Sequence, residues 1–186
     1  MANEKPILFK PEMVRAILDG KKTQTRRVVK HIPLLGDPLR WCAAAQKQEP
    51  GWVSIVGDYR RFCPHGVPGA RLWVREMFCQ PYKEEGNYET FYRADGEKDL
   101  TWKPSIHMPR WACRLVLEIT DVWVERVQDI SEEDAMNESD ITRGPIASEN
   151  THTEWFRALW NSIHKNDGDD WDANPYVWVL TFKRME

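Results

Sequence analysis

The stretch from Ala112 to Val127 constrains the fold more than any other. Leu115, Leu117 and Ile119 fall on one side of an alternating run, and β-branched Val122 and Val124 continue that side after Thr120-Asp121. Period-two alternation over such a length describes a strand with one face in a core. A long half-buried strand needs neighbours to complete its hydrogen bonds. They are legible at Arg71–Phe78, where apolar residues alternate with charges, at Glu89–Arg93 before a turn at Asp95-Gly96, and at Tyr176–Phe182, which carries Trp178 and Phe182 on one face. Three helical segments lie between the strands. Pro11 opens one with Met13, Val14, Ile17 and Leu18 on its apolar face, and Gly20 stops it. Ser131, with Asp134 three residues on, caps a short acidic helix containing Glu138. Thr151 and Glu154 form a capping box ahead of a helix bearing Trp155, Phe156, Leu159, Trp160 and Ile163. The pattern predicts an α+β domain whose mostly antiparallel sheet curls into a barrel, with flanking helices.

The 186 residues suit one domain spanning 1–186. Residues 31–69 are punctuated by Pro and Gly, which makes 31–66 a lid or an insertion in an otherwise regular fold. Apolar runs are too short to span a bilayer, and the opening shows no secretory pattern, so the expectation is a cytoplasmic protein without a membrane partner. Its four cysteines then read as free thiols. Cys63-Pro64-His65 offers two metal ligands but no second knuckle, so we read it as core or loop rather than zinc. The ten tryptophans divide by position. Trp155, Trp160 and Trp178 read as core, while Trp41, Trp52, Trp73, Trp102 and Trp111 are candidates for pocket walls.

The net charge of -3 hides an asymmetry. Residues 1–30 carry eight Lys/Arg against Glu4, Glu12 and Asp19, whereas residues 118–140 carry nine acids against Arg126 alone. Either these are two solvated faces, or the basic one receives an anionic partner. Tight binding of a long duplex is excluded, because it needs many phosphate contacts at once. Lys21-Lys22-Thr23-Gln24-Thr25-Arg26-Arg27 leaves the first helix as a basic segment and a plausible floor for a site. A lysine beside a Thr hydroxyl can act as a base if burial or neighbouring cations lower its pKa, and Arg26 and Arg27 are such cations. One carboxylate of the acidic helix returning across the fold would complete a nucleophile, a base and a proton shuttle. The alternative is an ordinary solvated Lys/Thr-rich turn.

Gly20-Lys21-Lys22-Thr23-Gln24-Thr25-Arg26-Arg27 resembles the G-x-K-x-x-E-x-R signature of the ASCH domain family, with Thr25 in place of the signature Glu. The likeness to the longer bacterial and phage members runs through Pro68–Glu76, Glu125–Ala135 and Asp172–Lys183, with Ala70 where Asp is common. It implies a PUA-like β-barrel associated with RNA. Thr at this position also resembles the small ASCH proteins assigned as N4-acetylcytidine amidohydrolases. That resemblance implies Thr25 as nucleophile, Lys22 as base and Glu138 as the carboxylate, with Glu132 and Glu133 as alternatives. It further implies Arg27 at substrate positioning; we add its neighbour Arg26, and Trp73 or Tyr82 as candidates to stack on a base, as aromatics do in single-stranded nucleic-acid sites. The implied substrate is a small nucleoside or base, or an RNA residue, and neither metal nor cofactor is required. A non-catalytic RNA-binding module and a ribonuclease are the alternatives.

Overall fold

The computed structural model describes residues 4–30, 58–80, 89–96, 99–138, 151–164 and 168–185. Most of the 31–66 segment, with Trp41, Trp52, Cys42 and also Tyr82, lies outside them. The architecture is α+β. A five-stranded sheet runs in the order β1-β3-β6-β7-β2. Its strands are β1 (Glu4–Leu8), β2 (Gln24–Val28), β3 (Arg71–Arg75), β6 (Val116–Arg126) and β7 (Tyr176–Arg184). Among the described strands of this sheet, only the β1–β3 pairing is parallel. A small ribbon pairs β4 (Phe78–Cys79) with β5 (Phe91–Tyr92).

The shift in parity along β6 is resolved by a bulge. Its pairing with β7 slips between Ile119 and Asp121, and the extra residue returns Val122 and Val124 to the face already held by Leu117 and Ile119. That face belongs to the main core with Leu72, Val74, Trp178, Leu180 and Phe182. The opposite face of β7, Val177 and Val179, packs with Phe156, Trp160 and Trp171 in a second core. A strand covered on both sides reads as the near-continuous apolar run Tyr176–Leu180.

Among the described residues three α-helices flank the sheet. Helix α1 (Pro11–Leu18) connects the two edge strands, β1 and β2, and sends Val14 and Ile17 into the main core. Helices α2 (Glu132–Glu138) and α3 (His152–Ile163) contribute Ala135, Phe156 and Trp160 to the second core. Both caps read from the sequence are present. Ser131 Oγ accepts from Asp134 N at 3.1 Å. Thr151 and Glu154 exchange hydrogen bonds at 3.2 and 3.1 Å.

The barrel is not closed by strand pairing among the described residues, because β1 and β2 end the strand order without joining each other. A side chain spans the seam instead, since Arg27 Nη2 of β2 donates to the Leu8 carbonyl of β1 at 2.7 Å. Among the described residues Cys63, Cys79 and Cys113 are free thiols, and no helix is long and apolar enough to cross a membrane.

Candidate active site

The segment after α1 owes its path to Gly20. With φ at 73°, Gly20 reverses the chain in the left-handed region. Gly20 N then donates to Ile17 O at 3.0 Å and Lys21 N to Ala16 O at 2.8 Å. This paired closure of a helix C-terminus fixes the exit direction. Lys22 is thereby turned into the protein, where its side chain is fully buried.

All three N–H groups of the Lys22 ammonium are used. They donate to Gln24 O at 2.7 Å, to Glu138 O at 2.7 Å and to Glu138 Oε2 at 2.9 Å. The Gln24 carbonyl belongs to the peptide bond that joins Gln24 to Thr25, so the amine is held beside the Thr25 backbone. Its cation also sits at the C-terminal end of α2, where the helix dipole favours positive charge. Burial pushes the Lys22 pKa below the ordinary lysine range; Glu138 opposes that shift, while Arg27 and Arg26 add to it.

Residues 24–28 are a strand, not a free basic turn, and this divides the two adjacent arginines between faces. Arg26, with Gln24, faces α2 and α3. Its guanidinium contacts Glu125 at 2.5 Å, Glu138 at 3.2 Å and Asp134 at 3.4 Å, donates to Gln24 Oε1 at 2.5 Å, and lies 5.9 Å from the Phe156 ring centroid. Gln24 in turn donates to Asp134 Oδ1 at 3.1 Å, and Trp123 Nε1 to Glu125 Oε2 at 2.8 Å. Arg26 therefore anchors Glu138 rather than lining an open floor.

Thr25 and Arg27 occupy the other face, opposite Leu180 and Trp178 of the main core. Arg27 is half-buried, 5.3 Å from the centroid of Phe9, whose ring also lies 5.9 Å from Lys22 Nζ. It lines a cavity of about 240 Å³ with Leu8, Phe9, Met13, Met77 and Ile163 among its walls.

Among the carboxylates of the acidic helix, Glu138 is the one that meets Lys22. Glu132 is committed elsewhere, accepting from His152 N at 2.8 Å and Thr153 N at 3.2 Å at the start of α3, and Glu133 is exposed. Trp73 is not brought to this cluster. It alternates with core residues Leu72 and Val74, so its ring faces the other way, where Arg75 and Arg110 approach to 5.4 and 5.8 Å. Strands β6 and β7 separate β3 from β2.

Sequence reasoning missed Gln24, Glu125 and Asp134 as partners of the cluster. Strand alternation would have exposed the first, by setting Gln24 and Arg26 on one face. The other two depend on how β6 and α2 fold back, which local spacing does not encode. The arrangement can hold a buried positive charge and exchange a proton between an amine and a carboxylate 2.9 Å apart, with the amine held at the peptide carbonyl next to Thr25.

No family model and no characterised protein matches the sequence. Among solved structures, the chain is similar to an ASCH domain from Lactobacillus crispatus JV V101, with a TM-score of 0.45 and 14% identity over 98% of this chain and 79% of that one. It is also similar to a DUF984 protein from Enterococcus faecalis V583, with a TM-score of 0.47 and 9% identity over 100% of this chain and 82% of the other.

Proposed function

We propose that the protein is an amidohydrolase that removes the acyl group from N4-acylated cytosine or cytidine, with Thr25 as nucleophile, Lys22 as base and Glu138 as proton partner. The observation that carries this reading is the buried Lys22–Glu138 pair anchored on the peptide carbonyl beside Thr25. A base must be within reach of its nucleophile and able to lose its own proton, and burial favours the neutral amine.

Transfer from Lys22 to Glu138 leaves a neutral amine and a carboxylic acid, without changing the charge of the pair. Thr25 Oγ bonds to the acyl carbon as its proton passes to Lys22, and the carbonyl electrons move onto oxygen. Collapse breaks the C–N4 bond, and the departing nitrogen takes the proton from Glu138. The ion pair is restored with the acyl group on Thr25. After a second transfer to Glu138, Lys22 accepts a proton from attacking water. Thr25 then leaves as the hydroxyl with the Glu138 proton, releasing the carboxylic acid. Arg27 positions the substrate from the cavity wall, and Arg26 holds Glu138.

The test is to mix the protein with N4-acetylcytidine and follow the absorbance change as cytidine forms. Turnover is expected, and Thr25→Ala should abolish it while largely sparing binding. No turnover across a panel of N4-acylated cytosines and cytidines overturns the reading. One observation favours a second reading, a non-catalytic nucleotide- or RNA-binding module. Every Lys22 N–H has an acceptor, which suits a permanent ammonium tying β2 to α2. Such a binder would show no turnover, and its RNA affinity would fall steeply with salt.

A further inference from the structure

Two cations stand on the core-facing side of the sheet at its two edge strands. Lys5 of β1 stands in register with Leu72, and Arg27 of β2 with Trp178; both partners belong to the main core. Lateral neighbours in a sheet share a face, so Lys5 and Arg27 approach the same interior from opposite edges. Each is tethered by a neutral oxygen: Lys5 Nζ donates to Pro64 O at 2.8 Å and Arg27 to Leu8 O at 2.7 Å. Among the described residues neither is in ion-pair contact with a carboxylate.

The turn at Cys63–Gly66 lies in the same interior. Cys63 is buried in the main core, and nearby Tyr59 stacks on Trp178 at 6.4 Å. Gly66, at φ 126°, lies so close to Ala70 that a Cβ there would sit 2.7 Å from the Ala70 Cβ. The turn is therefore held tightly, and it carries half-buried His65. Burial, then the charges of Arg27 and Lys5, lower the His65 pKa to about 4. The imidazole is neutral at physiological pH and available as a hydrogen-bond donor beside two cations.

We infer that Lys5, His65 and Arg27 form a subsite for a phosphate group, so that the protein takes a phosphorylated cytidine derivative in preference to the free nucleoside. Phosphate meets these groups well, since it accepts charge-assisted hydrogen bonds from both cations and a neutral one from the imidazole. Arg27 joins this subsite to the cavity, which supplies apolar walls and the Phe9 ring for the rest of the ligand. The cytidine part rests on the proposed function; the phosphate part does not.

Calorimetry with cytidine, cytidine 5′-monophosphate and a cytidine-containing trinucleotide tests this, together with NMR of the His65 imidazole during addition of inorganic phosphate. The monophosphate or the trinucleotide should bind at least about tenfold more tightly than cytidine. The tighter of the two identifies a free nucleotide or a chain phosphate as the source. Lys5→Met should remove most of that preference, and Lys5→Arg should restore it. Phosphate should shift the His65 resonance and raise its pKa by offsetting the flanking charges. Equal binding of cytidine and both phosphorylated ligands overturns the subsite, as does a preference that survives Lys5→Met. Phosphate preference without turnover would overturn only the reaction. Turnover of the nucleoside without phosphate preference would overturn only the subsite.

Discussion

Two carboxylates, Glu138 and Glu76, are buried at 5% and 1% exposure, and each is paired with a cation. Glu76 meets Arg114 through two parallel contacts of 2.9 and 3.1 Å. Arg114 also stacks 4.0 Å from the Tyr92 ring centroid and bonds Asp95. This clasp joins the end of β3 to the start of β6. A guanidinium does not surrender its proton in a protein, so the clasp cannot move one. Glu138 has a guanidinium too, from Arg26, but its nearer partner is a lysine. An amine, unlike a guanidinium, can become a base when it is buried. The difference between the fastener and the proposed proton relay thus rests on the chemistry of one cation, with burial common to both.

Much of this was legible in the sequence. The parity change in β6, the caps at Ser131 and Thr151 and the glycine stop at Gly20 are local features, and local spacing encodes them. Lys22, Thr25 and Glu138 were singled out by a short signature and a capped helix. The opposite orientations of Arg26 and Arg27 were missed because the basic segment hid a strand. Trp160 and Trp178 are core as expected, Trp155 is half-buried, and Trp111 is 70% exposed. The proposed grouping of Lys5, His65 and Arg27 draws on three segments distant in sequence, which no pattern within one segment reports.

The largest effect is expected at Thr25, the proposed nucleophile. Thr25→Ala should lower turnover by about 10⁴-fold with little change in thermal stability, measured by the absorbance assay and by calorimetry. Arg114→Lys should leave turnover nearly intact and instead lower stability, by about 1–2 kcal/mol, through loss of the two-point contact and the Tyr92 stacking.

Removing either carboxylate charge should affect stability unequally in denaturant titrations. Glu138→Gln leaves the fully buried Lys22 ammonium without its charge partner and should destabilise the fold by about 3 kcal/mol. Glu76→Gln should cost about 1 kcal/mol, because Arg114 is 27% exposed and keeps Asp95.

The pH dependences should have opposite signs. Burial lowers the Lys22 pKa in the folded chain, so the unfolded chain holds that proton over a window reaching up to the ordinary lysine value. The Lys22 contribution to stability therefore rises with pH across that window, and Lys22→Met should remove the rise. Burial raises the Glu76 pKa, so the folded chain holds its proton more tightly than the unfolded one. Its contribution falls as pH climbs from the ordinary glutamate value through the raised one, and Glu76→Gln should remove that fall. Stability measured against pH for the parent and the two variants separates them. The smallest effect should come from exposed Trp111: Trp111→Ala is expected to change stability by no more than about 0.5 kcal/mol and turnover by less than about twofold.

The base assigned to Lys22 is tested most directly by titrating its side-chain amine in the folded protein by NMR. A midpoint below the ordinary lysine range is expected, moving lower still in Glu138→Gln. An amine that titrates in or above the ordinary range would contradict the assignment and leave Lys22 as a fixed charge capping α2.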